Sequence, residues 1–190
     1  RRSELRGISD LQAYAELVEQ DKDELEKIYG DLLINTTVFF RDIEVFEALE
    51  ELVLPELWRA PRDGRALRIW VPACATGEEA YSIAIMFREF GERNNNHRDF
   101  NIFATDVHRP SLEFASKALY PDERMQGLDP NLLERYFIYQ DQGYKVRPEL
   151  RRTVVFSPQD ALKDPPFTRM DLVSCRNFLI YLKNDAQRTV

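Results

Sequence analysis

The sequence is poor in the residues that usually build redox and metal centres. It has only two cysteines, Cys74 and Cys175, and only two histidines, His97 and His108, among 190 residues. The cysteines lie far apart with no metal-ligand spacing, so reduced thiols in a cytoplasmic protein are the simplest interpretation. His97 stands in a polar run of asparagines, and His108 has no partner at ligand spacing. The sequence therefore predicts no metal site and no catalytic histidine.

Long apolar runs and an excess of basic charge are also missing. No stretch approaches the roughly 18 apolar residues of a membrane-spanning helix, and the start RRSELRGISD lacks the apolar segment of a signal peptide. The formal charge of −7 and the isoelectric point of about 5.0 disfavour nucleic-acid binding, because nucleic-acid binders usually carry a basic face. With 44% hydrophobic residues the chain is typical of a globular protein. A protein or a small molecule is the favoured partner, without membrane insertion.

The first third of the chain is predicted to be helical. Apolar residues recur at helical spacing over residues 9–18, where Ser9 is the expected N-cap. Two further helices are predicted over residues 21–33 and 43–52. Together these segments predict a helical N-terminal cap over residues 1–60.

The rest of the chain, residues 61–190, alternates between strands and helices. The expected strands are residues 67–71, 100–104, 153–156 and 170–174. Helical patterns between the first strands are typical of a parallel sheet with right-handed crossovers. We therefore expect an α/β fold: the helical cap, then a partial doubly wound, Rossmann-like sheet in the order 3-2-1-4. A small hairpin is expected at residues 137–146, and the further C-terminal strands of such a fold are missing.

The turn between the first strand and its helix has the composition of a ligand-binding loop. Its sequence, VPACATGEE at residues 71–79, has small residues that let a ligand approach the backbone near a helix N-terminus. A dinucleotide site would normally show G-x-G-x-x-G here, but only Gly77 is present. Glu78 and Glu79 would repel a pyrophosphate, yet they would tolerate a sulfonium or an ammonium group. The alternative is an ordinary turn in which two acids favour the helix dipole.

Two aspartates follow other strands at the same expected edge of the sheet. Asp106 ends the second strand, where an acid often accepts hydrogen bonds from ribose hydroxyls; its alternative role is a helix N-cap. Asp160 lies just beyond the third strand and could meet an adenine amino group. Because ligands of open α/β sheets bind at the carboxyl ends of the strands, the three loops together favour a nucleoside site.

The segment DPPF at residues 164–167 suggests a different enzyme. It resembles the D/N-P-P-Y/F motif of amino-methyltransferases that act on nucleobases, where the motif directly follows the fourth strand. Here it precedes that strand, residues 170–174. We interpret the prolines as a rigid loop that leads into the strand, and a nucleobase amino-methyltransferase remains the less favoured alternative.

A longer set of motifs resembles CheR, the chemotaxis receptor methyltransferase family. The matching segments are NTTVFFRD at residues 35–42, ACATGEEAYS at 73–82, ATD at 104–106 and CRNFLIY at 175–181. The segment DPPFTRMDLVSCRN, residues 164–177, is most similar to the CheR portion of CheB–CheR fusion proteins.

The resemblance implies a protein-glutamate O-methyltransferase. The expected reaction uses S-adenosylmethionine to form methyl esters on glutamate side chains of chemotaxis receptors, and leaves S-adenosylhomocysteine. The implied partner is a receptor's cytoplasmic helices or another signalling protein, and the chain is expected to be part of a larger multidomain signalling protein. A non-catalytic module that binds S-adenosylmethionine or S-adenosylhomocysteine is the main alternative.

The resemblance also implies which residues form the site. Arg41 and Tyr181 are expected to face the reacting centre. The residues expected to contact the cofactor are Asn35, Thr37, Arg41, Glu79, Asp106, Asp160, Ala161, Arg176 and Asn177.

The expected chemistry explains why no nucleophile or general base stands out. A glutamate carboxylate is already ionised at pH 7, so no strong base is required to activate it. What remains is the alignment of carboxylate and methyl group, which is a problem of proximity and orientation.

Overall fold

The structure is a computed structural model that describes residues 2–32, 37–61 and 64–187. The chain forms two compact units, Arg1–Thr36 and Thr37–Val190. None of the helices in the described ranges is long and apolar enough to cross a bilayer.

The described part of the first unit, residues 2–32, contains three helices. They are α1 (Arg2–Leu5), α2 (Leu11–Gln20) and α3 (Lys22–Leu32). The N-cap of α2 is Asp10 and not the expected Ser9, because the extended backbone at Asp10 lets its Oδ1 accept the Gln12 N–H at 3.0 Å. Inside this unit Glu24 is fully buried, and its carboxylate accepts hydrogen bonds from Arg6 Nη2 at 2.6 Å and the Tyr14 hydroxyl at 2.8 Å.

The second unit begins with a helix that is longer than expected. It comprises α4 (Ile43–Ala48), a π-helical turn at Leu49–Val53, and α5 (Leu54–Arg59). The sequence pattern predicted an end near residue 52, yet Pro55 is accommodated because it lies in the first turn of α5. Residues 37–60, which the sequence analysis placed in the helical cap, belong to the same compact unit as the sheet.

Over residues 64–187, the second unit contains seven strands and five further α-helices. The strands are β1 (Leu67–Pro72), β2 (Phe100–Asp106), β3 (Leu119–Tyr120), β4 (Phe137–Gln140), β5 (Gly143–Val146), β6 (Val154–Pro158) and β7 (Leu172–Val173). The helices are α6 (Glu78–Arg93), α7 (Arg109–Lys117), α8 (Pro130–Tyr136), α9 (Pro148–Arg151) and α10 (Asn184–Gln187).

The main sheet is parallel and has the order β6-β2-β1-β7, which confirms the predicted order 3-2-1-4. Ile102 of β2 pairs in register with Ile69 of β1 and Val154 of β6. These side chains, with Ile83 of α6, are almost completely buried and form the centre of the core. The α/β class is confirmed, and its parallel strands bring four carboxyl ends to one edge.

A smaller antiparallel sheet has the order β3-β5-β4 and contains the predicted hairpin. Asp141 and Gln142 both have positive φ, as a two-residue hairpin turn requires. Strand β3 was not predicted. Gly143 allows it to pair, because a Cβ there would lie 2.6 Å from the Tyr120 carbonyl oxygen.

Candidate functional site

The loop after β1 has the backbone of a glycine-rich turn although it contains one glycine. Ala73, Ala75 and Gly77 alternate in the left-handed region, with φ of 52°, 47° and 92°. Sequence reasoning missed this, because alanine rarely adopts that conformation, at a cost of about 1–2 kcal/mol per residue. The small side chains leave the backbone of the loop open to a ligand.

Asp106 holds this loop against the end of β2. Its Oδ2 accepts the Ala75 N–H at 2.8 Å, and its Oδ1 accepts the His108 N–H at 2.8 Å. His108 is the N-cap residue of α7, so Asp106 is not that cap. A carboxylate can accept about four hydrogen bonds, so two engaged N–H groups leave capacity for hydroxyl donors. The buried carboxylate can therefore serve the loop and a ligand together.

A second group of polar side chains lies under the same loop. Glu78 is fully buried, and its carboxylate accepts a hydrogen bond from the Thr76 hydroxyl at 2.6 Å and pairs with Arg124. Arg124 Nη1 also donates to Thr76 Oγ1 at 2.8 Å, and the Tyr120 hydroxyl donates to the Thr76 carbonyl at 2.8 Å. Both carboxylate oxygens of Glu78 are thus engaged by other residues of the protein, so its role goes beyond a favourable interaction with the helix dipole.

Glu79 lies one residue further along α6 in a partly buried position. The Ser174 hydroxyl, at the end of the last strand, donates to Glu79 Oε1 at 2.6 Å. Burial raises the pKa of the Glu79 carboxyl, although the Ser174 hydrogen bond and the positive charges of Arg176 and Arg41 oppose that shift. A further cation beside Glu79 would offset the cost of burying its charge.

Arg176 joins the segment before α4 to the end of β7. Its Nη2 donates to the Arg41 carbonyl at 2.6 Å and to Asp42 Oδ2 at 2.9 Å, and its guanidinium lies 5.1 Å from the Phe46 ring centroid. The same segment is held to α6 by the Phe40 N–H, which donates to Ser82 Oγ at 2.9 Å. These contacts bring the Arg41 backbone to the edge where the strands end.

Asp160 lies in a turn of its own after β6. Its Oδ1 accepts the Leu162 N–H at 3.0 Å, and Lys163 Nζ lies 3.2 Å from its Oδ2. Partial burial works to raise the pKa of Asp160, but the Leu162 N–H and Lys163 outweigh it and hold that pKa below its usual value. Ala161 is part of this turn and is half-buried.

The segment at residues 164–167 folds back onto the sheet. Asp164 Oδ2 accepts the Asp160 N–H at 2.8 Å, and the Phe167 ring lies 5.7 Å from that of Trp70 and 5.3 Å from that of Phe103. These contacts support the interpretation of the prolines as a structural loop.

The remaining predicted site residues are less closely tied to this cluster. Asn35 lies outside the described residues, and Thr37 is half-buried. Asn177 is exposed and has a left-handed backbone, with φ of 54°. Tyr181 is 59% exposed in the short 3₁₀ turn Leu179–Tyr181.

The two cysteines have the properties of packed thiols. Cys74 is buried and Cys175 is half-buried. Burial raises the pKa of both thiols, and the nearby carboxylates of Asp106 for Cys74 and Glu79 for Cys175 raise it further. Because the thiolate is the reactive form, neither residue is an activated nucleophile.

Three residues that make contacts in the site, Ser82, Arg124 and Ser174, were not predicted from the sequence as site residues. Ser82 lies in the family-like segment at residues 73–82, and Ser174 ends the strand predicted at residues 170–174. Their positions in the sequence therefore gave a weak indication of a role in the site. Arg124 carried none, because its contacts to Thr76 and Glu78 span more than forty positions of the chain.

Comparison with known proteins gives this geometry a family context. The model of the family described as "CheR methyltransferase, SAM binding domain" matches residues 35–190. A "Chemotaxis protein methyltransferase 1" of Pseudomonas aeruginosa is 34% identical over 193 residues, covering 98% of this chain and 70% of that protein.

Two further relatives differ greatly in length. An "Uncharacterized 104.1 kDa protein in hypE 3'region" of Rhodobacter capsulatus is 42% identical over 187 residues, covering 98% of this chain and 20% of that protein. A "Chemotaxis protein methyltransferase" of Listeria innocua is 35% identical over 157 residues, covering 83% of this chain and 58% of that protein. The chain therefore spans between 20% and 70% of the length of these three relatives.

Proposed function

Because this chain belongs to the CheR methyltransferase family, we propose that it transfers a methyl group from S-adenosylmethionine to glutamate side chains of chemotaxis receptors. The family model describes a domain that binds the methyl donor, and the Pseudomonas aeruginosa relative is named as a chemotaxis protein methyltransferase, which supports the reaction. The single observation that carries the proposal is the site at the carboxyl edge of the sheet, where the left-handed loop, Asp106 and Glu79 meet.

The donor set fits the proposed ligand. Burial raises the pKa of Glu79 because it disfavours the charged carboxylate, and a nearby cation offsets that cost. Glu79 is therefore suited to the ammonium group of the methionine part of the donor. The spare acceptor capacity of Asp106 suits the ribose hydroxyls. Thr37 and Arg41 from the segment before α4, Asp160 and Ala161 beside the adenine, and Arg176 and Asn177 after β7 are the other proposed cofactor contacts. S-adenosylmethionine supplies an activated methyl group on a sulfonium, which leaves as a neutral thioether.

The protein's own part in the reaction is to place the acceptor carboxylate. A carboxylate oxygen forms the new bond to the methyl carbon as the carbon–sulfur bond breaks, and no proton is taken up or released. We assign Arg41 to anchoring the incoming carboxylate, since its charge acts on the same region as Glu79. Tyr181, exposed at the surface, is assigned to orienting the acceptor side chain. Arg176 supports the Arg41 backbone by the hydrogen bond to its carbonyl.

The first experiment is isothermal titration of the purified protein with S-adenosylhomocysteine, followed by a methyl-transfer assay on receptor cytoplasmic fragments. We expect binding near one-to-one and base-labile methyl esters. Asp106→Ala should weaken binding at least tenfold, because hydrogen bonds to a charged group are lost. Arg41→Ala should reduce methyl transfer much more than binding.

Other outcomes of these assays would favour the alternatives. Binding without methyl transfer to any receptor would indicate the non-catalytic module. Transfer to nucleic acid would indicate a nucleobase amino-methyltransferase, which the position of residues 164–167 against the sheet disfavours. Equal losses of binding and transfer in Arg41→Ala would mean that Arg41 serves only the cofactor.

We also propose that the domain acts within a larger signalling protein. The support is the 104.1 kDa relative, of which this chain matches 20%. Mass spectrometry of the native protein, isolated from cells with an antibody to this domain, would test this directly: a mass close to that of the domain alone would contradict it.

A further inference from the structure

The strained loop at residues 73–77 needs contacts from outside to keep its shape. Left-handed alanines persist only where the surrounding structure fixes them. Asp106 supplies one such contact through the Ala75 N–H. Two further contacts, both to Thr76, come from Tyr120 in β3 and from Arg124 in the following 3₁₀ turn, Asp122–Met125.

Arg124 reaches two members of the loop region at once. Its Nη1 donates to Thr76 Oγ1 at 2.8 Å and forms an ion pair with Glu78. The Thr76 hydroxyl itself donates to the other oxygen of Glu78 at 2.6 Å, which closes a three-membered network. The guanidinium also lies 5.2 Å from the Phe114 ring centroid, which limits its movement.

The ion pair differs from an ordinary surface pair because one partner has no access to water. Glu78 is 0% exposed, whereas the Arg124 side chain is 33% exposed. A buried carboxylate that loses its cation is strongly disfavoured, so removing Arg124 would force Glu78 and the adjoining loop to rearrange. That rearrangement would occur next to Gly77 and Glu79, on the ligand side of the loop.

We propose that Arg124 is a positioning residue for the donor site: through Glu78 and Thr76 it holds the loop at residues 73–77 in its binding conformation. This inference rests on the proposed function. Because Arg124 lies in the segment that also contains the β3-β5-β4 sheet, donor binding depends on that small sheet being in place. Arg124 is not expected to touch the donor.

The test compares Arg124→Met with Arg135→Met. Arg135 of α8 pairs with Glu89 and Glu92 on the same helix α6, far from its N-terminal loop. Both variants therefore remove an ion pair to α6, and only the first removes the contact to the loop. The measurements are S-adenosylhomocysteine affinity by titration at a temperature where circular dichroism shows a folded protein, and the KM and kcat of methyl transfer.

We expect Arg124→Met to weaken S-adenosylhomocysteine binding about tenfold and to raise the KM for the donor similarly, with little change in kcat. Arg135→Met should leave both unchanged. Arg124→Lys should recover part of the affinity, because it keeps the charge without the fixed guanidinium geometry.

Thr76→Val provides a second test should Arg124→Met fail to fold. It removes the bridging hydroxyl and keeps the Arg124–Glu78 pair, and the inference expects weaker donor binding from it as well. Equal affinity in wild type and in the folded Arg124→Met or Thr76→Val variant would overturn the inference. So would equal losses in Arg124→Met and Arg135→Met. Failure of the wild type to bind would instead overturn the proposed function and the inference with it.

Discussion

At the scale of single residues, the loop after β1 is stabilised by its contacts and destabilised by its own backbone. Ala75 has a φ of 47°, and its N–H donates to Asp106 Oδ2 at 2.8 Å. Glycine at this position would keep the N–H and remove the steric cost of the Cβ. The loop therefore carries backbone strain at Ala75 that glycine would relieve.

We predict that Ala75→Gly stabilises the protein. Relief of about 1–2 kcal/mol of left-handed strain exceeds the roughly 0.5–1 kcal/mol lost through glycine's freedom in the unfolded chain. The expected net gain in unfolding free energy is about 0.5–1 kcal/mol, measured by urea denaturation. Ala80→Gly, at a buried helical position in α6, is the control and should destabilise the protein. A loss of stability in Ala75→Gly would mean that the left-handed backbone is not strained.

Glu79 is the residue at which stability and donor binding are expected to oppose each other. Burial raises the pKa of its carboxyl above the unfolded value. The folded state thus holds the proton more tightly, so this group's contribution to stability is largest at low pH and is lost as pH rises through the folded pKa.

We predict that Glu79→Gln raises the thermal midpoint at neutral pH while it weakens S-adenosylhomocysteine binding roughly tenfold. The stability difference between the variant and the wild type should shrink as pH falls, because Glu79 then becomes neutral in both folded and unfolded states. Thermal melts from pH 4 to 8 and titrations with the ligand measure the two effects. A stability difference that stays constant over this range would show that Glu79 does not titrate as expected.

At the scale of elements, Gly77 sets how closely the start of α6 approaches its neighbours. A Cβ at this position would lie 2.9 Å from Ala115 Cβ in α7 and 3.0 Å from Phe156 Cζ in β6. The residue also has a φ of 92°. Both the close packing of three elements and the turn itself therefore require glycine.

We predict that Gly77→Ala destabilises the protein by about 1–3 kcal/mol, because it adds overpacking to backbone strain. Donor binding should weaken as well, since the loop must shift away from α7 and β6. Gly127→Ala is a matched control: its φ is also positive, at 85°, but a Cβ there would meet nothing within 4 Å. Urea denaturation of the two variants separates the cost of packing from the cost of the backbone conformation. Equal losses of unfolding free energy would show that the close approach of Gly77 to α7 and β6 is unimportant.

At the scale of the whole molecule, the proposed site exists only in the folded second unit. Its parts come from the segment at Arg41, the loop and helix at Glu79, the end of β2 at Asp106, and the end of β7 at Arg176. A ligand that contacts these parts binds the folded state and not the unfolded chain.

We predict that S-adenosylhomocysteine stabilises the protein by mass action, by about 2.7 kcal/mol at a hundredfold excess over its Kd. Denaturation with and without the ligand measures this shift. Arg176→Met should reduce the shift, because the segment at Arg41 loses its attachment to the end of β7. An undiminished shift in Arg176→Met would show that this attachment does not contribute to the donor site.

The expected strand order rested on the doubly wound fold as a whole, whereas the sequence by itself determined the family, the α/β class and the small hairpin. These follow from local patterns: strand and helix periodicity, a turn at Asp141 and Gln142, and motif segments that each lie within a few residues. For the same reason Asp106 and Glu79 were placed correctly at the ends of their elements. Their roles as cofactor contacts remain predictions.

Only the tertiary structure decided how distant residues meet. Arg176 and Asp42 are 134 positions apart, and Arg124 and Thr76 are 48 apart, so no local pattern could pair them. The left-handed backbone at Ala75 was equally hidden, because the contact with the distant Asp106 holds it against alanine's own preference. Local propensity specifies the elements, whereas the packing of the whole chain selects which side chains form the site.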